Sequence, residues 1–171
     1  MELYELLHIL FFPGIALHES AHAIACLFLG VPIKKIKFLG KDGGYVVHGD
    51  STAYNIIIIT LFPFVFNIAI SLVCARVYLL TGLSFLKLLM AWGAFSALLF
   101  CVPSNKDAKN AFEAIKRAYT KKQDILSILL LIVLSPLAIA VALLFLAFVV
   151  LDKFLVLRLF LVIAWVFLFM V

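Results

Sequence analysis

Of the 171 residues, 67% are hydrophobic and 13% are charged, against about 45–50% and about 25% in an ordinary soluble domain; this argues against a water-soluble globule and makes lipid the expected solvent. The formal charge of +5 does not point to nucleic acid, because the basic residues lie between apolar segments rather than on a surface of their own. The length suits one compact unit, so 1–171 is read as a single polytopic membrane domain.

The chain opens Met1-Glu2-Leu3-Tyr4-Glu5, acidic where a secretory signal is basic, so the first apolar segment is expected to stay in the protein. A membrane-crossing helix needs about 20 mostly apolar residues. Five segments qualify: about 3–29, 54–80, 83–102, 125–150 and 154–171. Pro13-Gly14 is a kink or break point in the first, which ends at Gly30-Val31-Pro32. Pro63 lies inside the second, Pro103 closes the third, and only Leu151-Asp152-Lys153 separates the last two. The expected fold is therefore an all-α integral membrane protein of about five transmembrane helices. Cys26, Cys74 and Cys101 are widely spaced in apolar stretches, form no C-x-x-C pair and read as buried thiols.

Two polar segments interrupt the pattern. In Val31 to Ser51, the runs Ile36-Lys37-Phe38-Leu39 and Tyr45-Val46-Val47 flank Lys41-Asp42-Gly43-Gly44, a β-hairpin signal. In Ser104 to Asp124, Ala108, Ala111, Phe112, Ile115 and Ala118 recur among lysines, as in a short amphipathic helix capped by Ser104 or Asn105. These segments hold ten of the fourteen basic residues. Basic loops stay cytoplasmic, so five spans put the N-terminus outside and the C-terminus inside, most simply in the cell membrane.

The first span contains His18-Glu19-Ser20-Ala21-His22, an H-E-x-x-H sequence. Residues four apart share a helix face, so the two imidazoles can grip one metal ion. Glu19 then sits beside the ion, where it can accept a proton from the attacking water. Three ionisable side chains within five positions are costly in lipid unless paired or functional. His8, ten residues earlier and roughly 15 Å along a helix, is too far to share the ion and reads as interfacial. His48, in the hairpin, is a weaker candidate. Asn67 interrupts the second span and needs a hydrogen-bond partner there.

With this H-E-x-x-H in a membrane helix, a polar hairpin segment after it and a later acidic residue near a helix end, the chain resembles the site-2 protease class of intramembrane zinc metalloproteases, over about the first 125 residues. The resemblance implies Zn2+ held by His18, His22 and a distant aspartate, with Glu19 activating water. The family's usual Leu-Asp-Gly is missing; Pro103-Ser104-Asn105-Lys106-Asp107 resembles a Pro-Ser-x-x-Asp variant of small relatives and points to Asp107. Elimination among the nine acidic residues leaves Asp50, Asp107, Glu113 and Asp124, with Asp107 favoured and Asp50 its rival; a helix-capping aspartate is the plain alternative for Asp107. Phe62-Pro63-Phe64-Val65-Phe66-Asn67 resembles the family's Gly-Pro-x-x-Asn without its glycine and with one residue more, which makes Asn67 a candidate substrate contact. Gly43, Gly44 and Tyr45 are the others, as part of an edge strand that could hold an unwound substrate. If the first helix runs unbroken to Leu29, the histidines lie roughly 10–18 Å inside the membrane, and Asp107 reaches them only if the third span ends deep or the first helix sits lower. The expected activity is zinc-dependent hydrolysis of peptide bonds in or near transmembrane segments of membrane protein substrates. A non-catalytic metal carrier or sensor, which needs the histidines but not Glu19, is the alternative, and a structural membrane subunit a further one.

Overall fold

The structure, a computed structural model, describes residues 3–38, 43–120, 143, 146, 147, 150 and 154–170. It is mostly helical (75%) with one small two-stranded sheet. In chain order the elements are α1 (Leu3–Leu10), α2 (Phe12–Phe28), β1 (Ile33–Lys37), β2 (Tyr45–His48), α3 (Ala53–Leu80), α4 (Ser84–Leu99), α5 (Asn105–Thr120) and α6 (Leu155–Met170). The segment expected to cross at about 125–150 lies almost wholly outside the described residues, although Leu143, Leu146, Ala147 and Val150 are helical.

The first apolar segment is two helices rather than one. Pro13 enters α2 at its first turn and has no N–H for the carbonyl of Ile9. The Leu10 carbonyl next to the break accepts from Trp92 Nε1 at 2.9 Å. At its other end α2 closes in a Schellman motif: Gly30 at φ 65° donates to the Leu27 carbonyl, and Val31 donates to that of Cys26. Val31 then packs with Ala25, Cys26 and Ile59, which fixes α2 against α3.

Helix α3 starts at Thr52, whose side chain caps Asn55 N–H, and contains Pro63. Its most apolar 18-residue window has a mean hydropathy of 2.6, and Tyr54–Leu80 is the one helix among the described residues long and apolar enough to cross a membrane. It contacts α2, α4, α5 and α6. Small residues let α3 and α4 approach closely: Ala75 and Ala94 are buried together, and Ser71 Oγ donates to the Ala94 carbonyl at 3.0 Å. Helix α4 ends at Leu99, three residues earlier than the expected span, and Cys101, Val102 and Pro103 continue as buried irregular chain. Helix α5 is the expected amphipathic element, with Ala108 and Ala111 buried against Leu61, Phe64 and Ile68 of α3.

The hairpin forms as an antiparallel pair, with Ile36 opposite Val46 and Lys37 opposite Tyr45. Gly43 has φ 89°, which a side-chain-bearing residue rarely adopts. Lys41 and Asp42 of the expected turn lie outside the described residues.

Candidate metal centre

Residues 18 and 22 lie one turn apart on α2, and both side chains are buried. His18 Nδ1 donates to the Phe100 carbonyl at 2.7 Å, and His22 Nδ1 donates to the Ile59 carbonyl at 2.8 Å. A carbonyl cannot donate, so these bonds put the proton on each Nδ1 and leave each Nε2 as a lone pair. The two Nε2 atoms face each other at 3.2 Å.

Asp107 completes the group. Its Oδ2 lies 3.7 Å from His18 Nε2 and 3.6 Å from His22 Nε2. Asp107 reaches the histidines because α4 stops at Leu99 and the chain from Cys101 to Pro103 runs through the protein interior. At the start of α5 it also forms a capping box with Ser104. Ser104 N–H and Oγ–H donate to Oδ2 at 3.0 and 2.6 Å, while Asp107 N–H donates to Ser104 Oγ at 3.3 Å. Helix capping and participation in the cluster are thus one arrangement: the cap holds the carboxylate facing the histidines.

This donor set suits a divalent metal ion. Zinc–nitrogen and zinc–oxygen bonds of about 2.0–2.2 Å in a tetrahedron place ligand atoms about 3.3–3.6 Å apart, close to the 3.2, 3.6 and 3.7 Å observed. Three lone-pair donors converge, as a shared cation requires, and a tetrahedral ion held by these three atoms would keep one position for water or substrate. Nitrogen and oxygen donors alone do not single out zinc. Asp50, the sequence rival, is exposed and stands outside the group.

Glu19 is buried and lines a cavity of about 210 Å³ together with His18 and Asp107. Gly43, Gly44 and Tyr45 form another part of the wall. Gly44 sits against the Glu19 side chain so closely that an added Cβ would lie 2.4 Å from Glu19 Cγ. No known protein family, curated protein or solved structure matches this chain.

Asn67 and His48 lie off the cavity wall, whereas His8 lies on it. Asn67 is fully buried and donates from Nδ2 to the Phe100 carbonyl at 3.1 Å, the carbonyl that also holds His18. It does not line the cavity, and its Oδ1 has no partner among the described residues. His48 donates from Nδ1 to the neighbouring Gly49 carbonyl and is also off the cavity wall. His8, read from sequence as interfacial, lines the cavity and stacks on Phe100 at 5.3 Å. Sequence reasoning passed over the Phe100 and Ile59 carbonyls altogether. The available signals were Pro63, four residues after Ile59, and Pro103 shortly after Phe100.

Proposed function

We propose that this chain is an integral membrane zinc metalloprotease of the site-2 protease type. The observation that carries the reading is the convergence of His18 Nε2, His22 Nε2 and Asp107 Oδ2 at metal-ligand spacing, with Glu19 lining the same cavity. A membrane setting is supported by α3, where only 33% of the most apolar window is buried, whereas the core helix of a soluble protein is mostly buried. It is supported further by the outward-facing Val65, Val73, Leu80, Phe85 and Leu88 on α3 and α4. We extend this to five spans, with the N-terminus outside and the C-terminus cytoplasmic, on the distribution of basic residues.

Bound zinc supplies Lewis acidity and lowers the pKa of water at the site to about 7. The protein's own groups do the rest. The Phe100 and Ile59 carbonyls orient the two imidazoles, and the Asp107 carboxylate contributes a negative charge. Glu19 accepts the proton of the attacking water and returns it to the leaving amine, as general base and then acid. A helical substrate hides its peptide bonds in its own hydrogen bonds and must unwind before attack. Residues Gly43 to Val46 flank the cavity, and the hairpin edge beside it can pair with an extended substrate strand.

Asp107→Asn tests the ligand set. Asparagine keeps an acceptor for the Ser104 cap, so the fold should persist while zinc content and proteolysis collapse. Asp50→Asn should change neither. The reverse pattern would move the third ligand to Asp50 and contradict the centre described above.

A further inference from the structure

His22 depends on a carbonyl that a regular helix would not leave open. Ile59 lies in the interior of α3, where each carbonyl pairs with the N–H four residues later. That residue is Pro63, which has no N–H. The open carbonyl accepts from His22 Nδ1 at 2.8 Å. Ile59 and His22 are only 3% and 5% exposed, so water is poorly placed to stand in for either partner.

We propose that Pro63 is a positioning residue for the metal centre: by withholding an N–H from Ile59, it reserves that carbonyl for His22 and so fixes the tautomer that turns the Nε2 lone pair toward His18 and Asp107. The inference rests on the metal-binding reading above. Membrane helices tolerate an internal proline where a neighbouring group satisfies the freed carbonyl, and here that group is a candidate ligand. Restoring an N–H at residue 63 closes the helical hydrogen bond and draws the Ile59 carbonyl toward the helix axis. A carbonyl oxygen has two lone pairs, so His22 then shares its acceptor with the helix, as Ser71 shares the Ala94 carbonyl inside α4. The weakened Nδ1 bond lets the proton move to Nε2, where the lone pair is needed. Partners that orient metal-binding histidines contribute about 10–100-fold to metal affinity.

The test uses the full chain in detergent micelles, with Zn2+ affinity measured by competition against a chromophoric chelator. The variants are Pro63→Ala and Pro63→Val. Both restore the N–H, but valine keeps the three side-chain carbons of this fully buried residue where alanine keeps one. Both variants should bind Zn2+ about 10–100-fold more weakly than wild type, with metal-free thermal stability no lower than wild type. Nitrogen-15 imidazole spectra of the metal-free protein should show His22 shifting from the Nδ1–H form toward the Nε2–H form. Wild-type affinity in both variants would overturn the proposal. So would weak binding by alanine that valine rescues, or loss of the fold in both, because either outcome assigns Pro63 to packing. Wild-type protein that binds no Zn2+ would instead overturn the metal reading, and this inference with it.

Discussion

Gly14→Ala is a one-methyl perturbation one helical turn before His18 on α2, coupled to the proposed chemistry through its contact with α4. A Cβ at residue 14 would lie 1.9 Å from the Ser96 carbonyl oxygen and 2.9 Å from Phe100 Cδ2, and real Cβ contacts essentially never fall below 3.0 Å. The obstructing oxygen is main chain, so α4 must retreat from α2 by about 1.1 Å, the shortfall against that limit. Ser96 lies one turn before Phe100, whose carbonyl holds His18 Nδ1 at 2.7 Å and Asn67 Nδ2 at 3.1 Å. The same retreat carried to Phe100 stretches the His18 bond to about 3.8 Å, beyond hydrogen-bonding range. Overpacking of this kind costs about 1–3 kcal/mol, and loss of an orienting partner lowers metal affinity by about 10–100-fold. Thermal denaturation of the metal-free protein and Zn2+ competition on the same preparation measure the two effects separately. A variant with wild-type melting temperature and wild-type Zn2+ affinity would refute the coupling of the α2–α4 contact to His18.

Gly44→Ala brings a methyl group against Glu19 Cγ and against the Lys37 and Phe38 carbonyls at 2.9 Å. It should lower proteolysis while leaving zinc content near wild type, because the hairpin contributes none of the converging ligand atoms; equal losses of both would place Gly44 in the support of the metal instead. For topology, single-cysteine variants Lys37→Cys and Lys116→Cys should label from the cytoplasmic side and Lys153→Cys from the outside, and a shared side for residues 37 and 153 would dismiss five spans.

Some of the site was legible because it is local. The i, i+4 spacing of His18 and His22 is a helix-face statement, and Ser104 with Asp107 is a capping box that also aims the carboxylate. The hairpin was legible from its glycines and β-prone flanks. What stayed hidden is through-space. The Phe100 carbonyl meets His18 across 82 positions, and the Ile59 carbonyl meets His22 across 37. No periodicity announces a main-chain acceptor. Pro63 marks where the Ile59 carbonyl is freed and the end of α4 leaves that of Phe100 open, but neither says which donor will take it. His8 stands outside the converging donors, as its spacing along the chain implied, but its place on the cavity wall was not legible from that spacing. The expected conflict between deep histidines and a surface aspartate is resolved by the early end of α4, set by the turn at Phe100 rather than by hydropathy.

The central claim is that Glu19 works on water at a metal held by its neighbours, and a paired comparison of Glu19→Gln with His18→Ala tests it most directly. Zinc content and cleavage of a transmembrane substrate are measured on the same purified, reconstituted samples. Glutamine keeps the size of Glu19 and removes its basicity, so that variant should fold, retain zinc and lose about 10²–10⁴-fold in proteolysis. His18→Ala should lose zinc and activity together, since one of three protein ligands is gone. Proteolysis near wild type in Glu19→Gln, or zinc loss as complete as in His18→Ala, would contradict the account and favour a metal-binding membrane protein without catalysis.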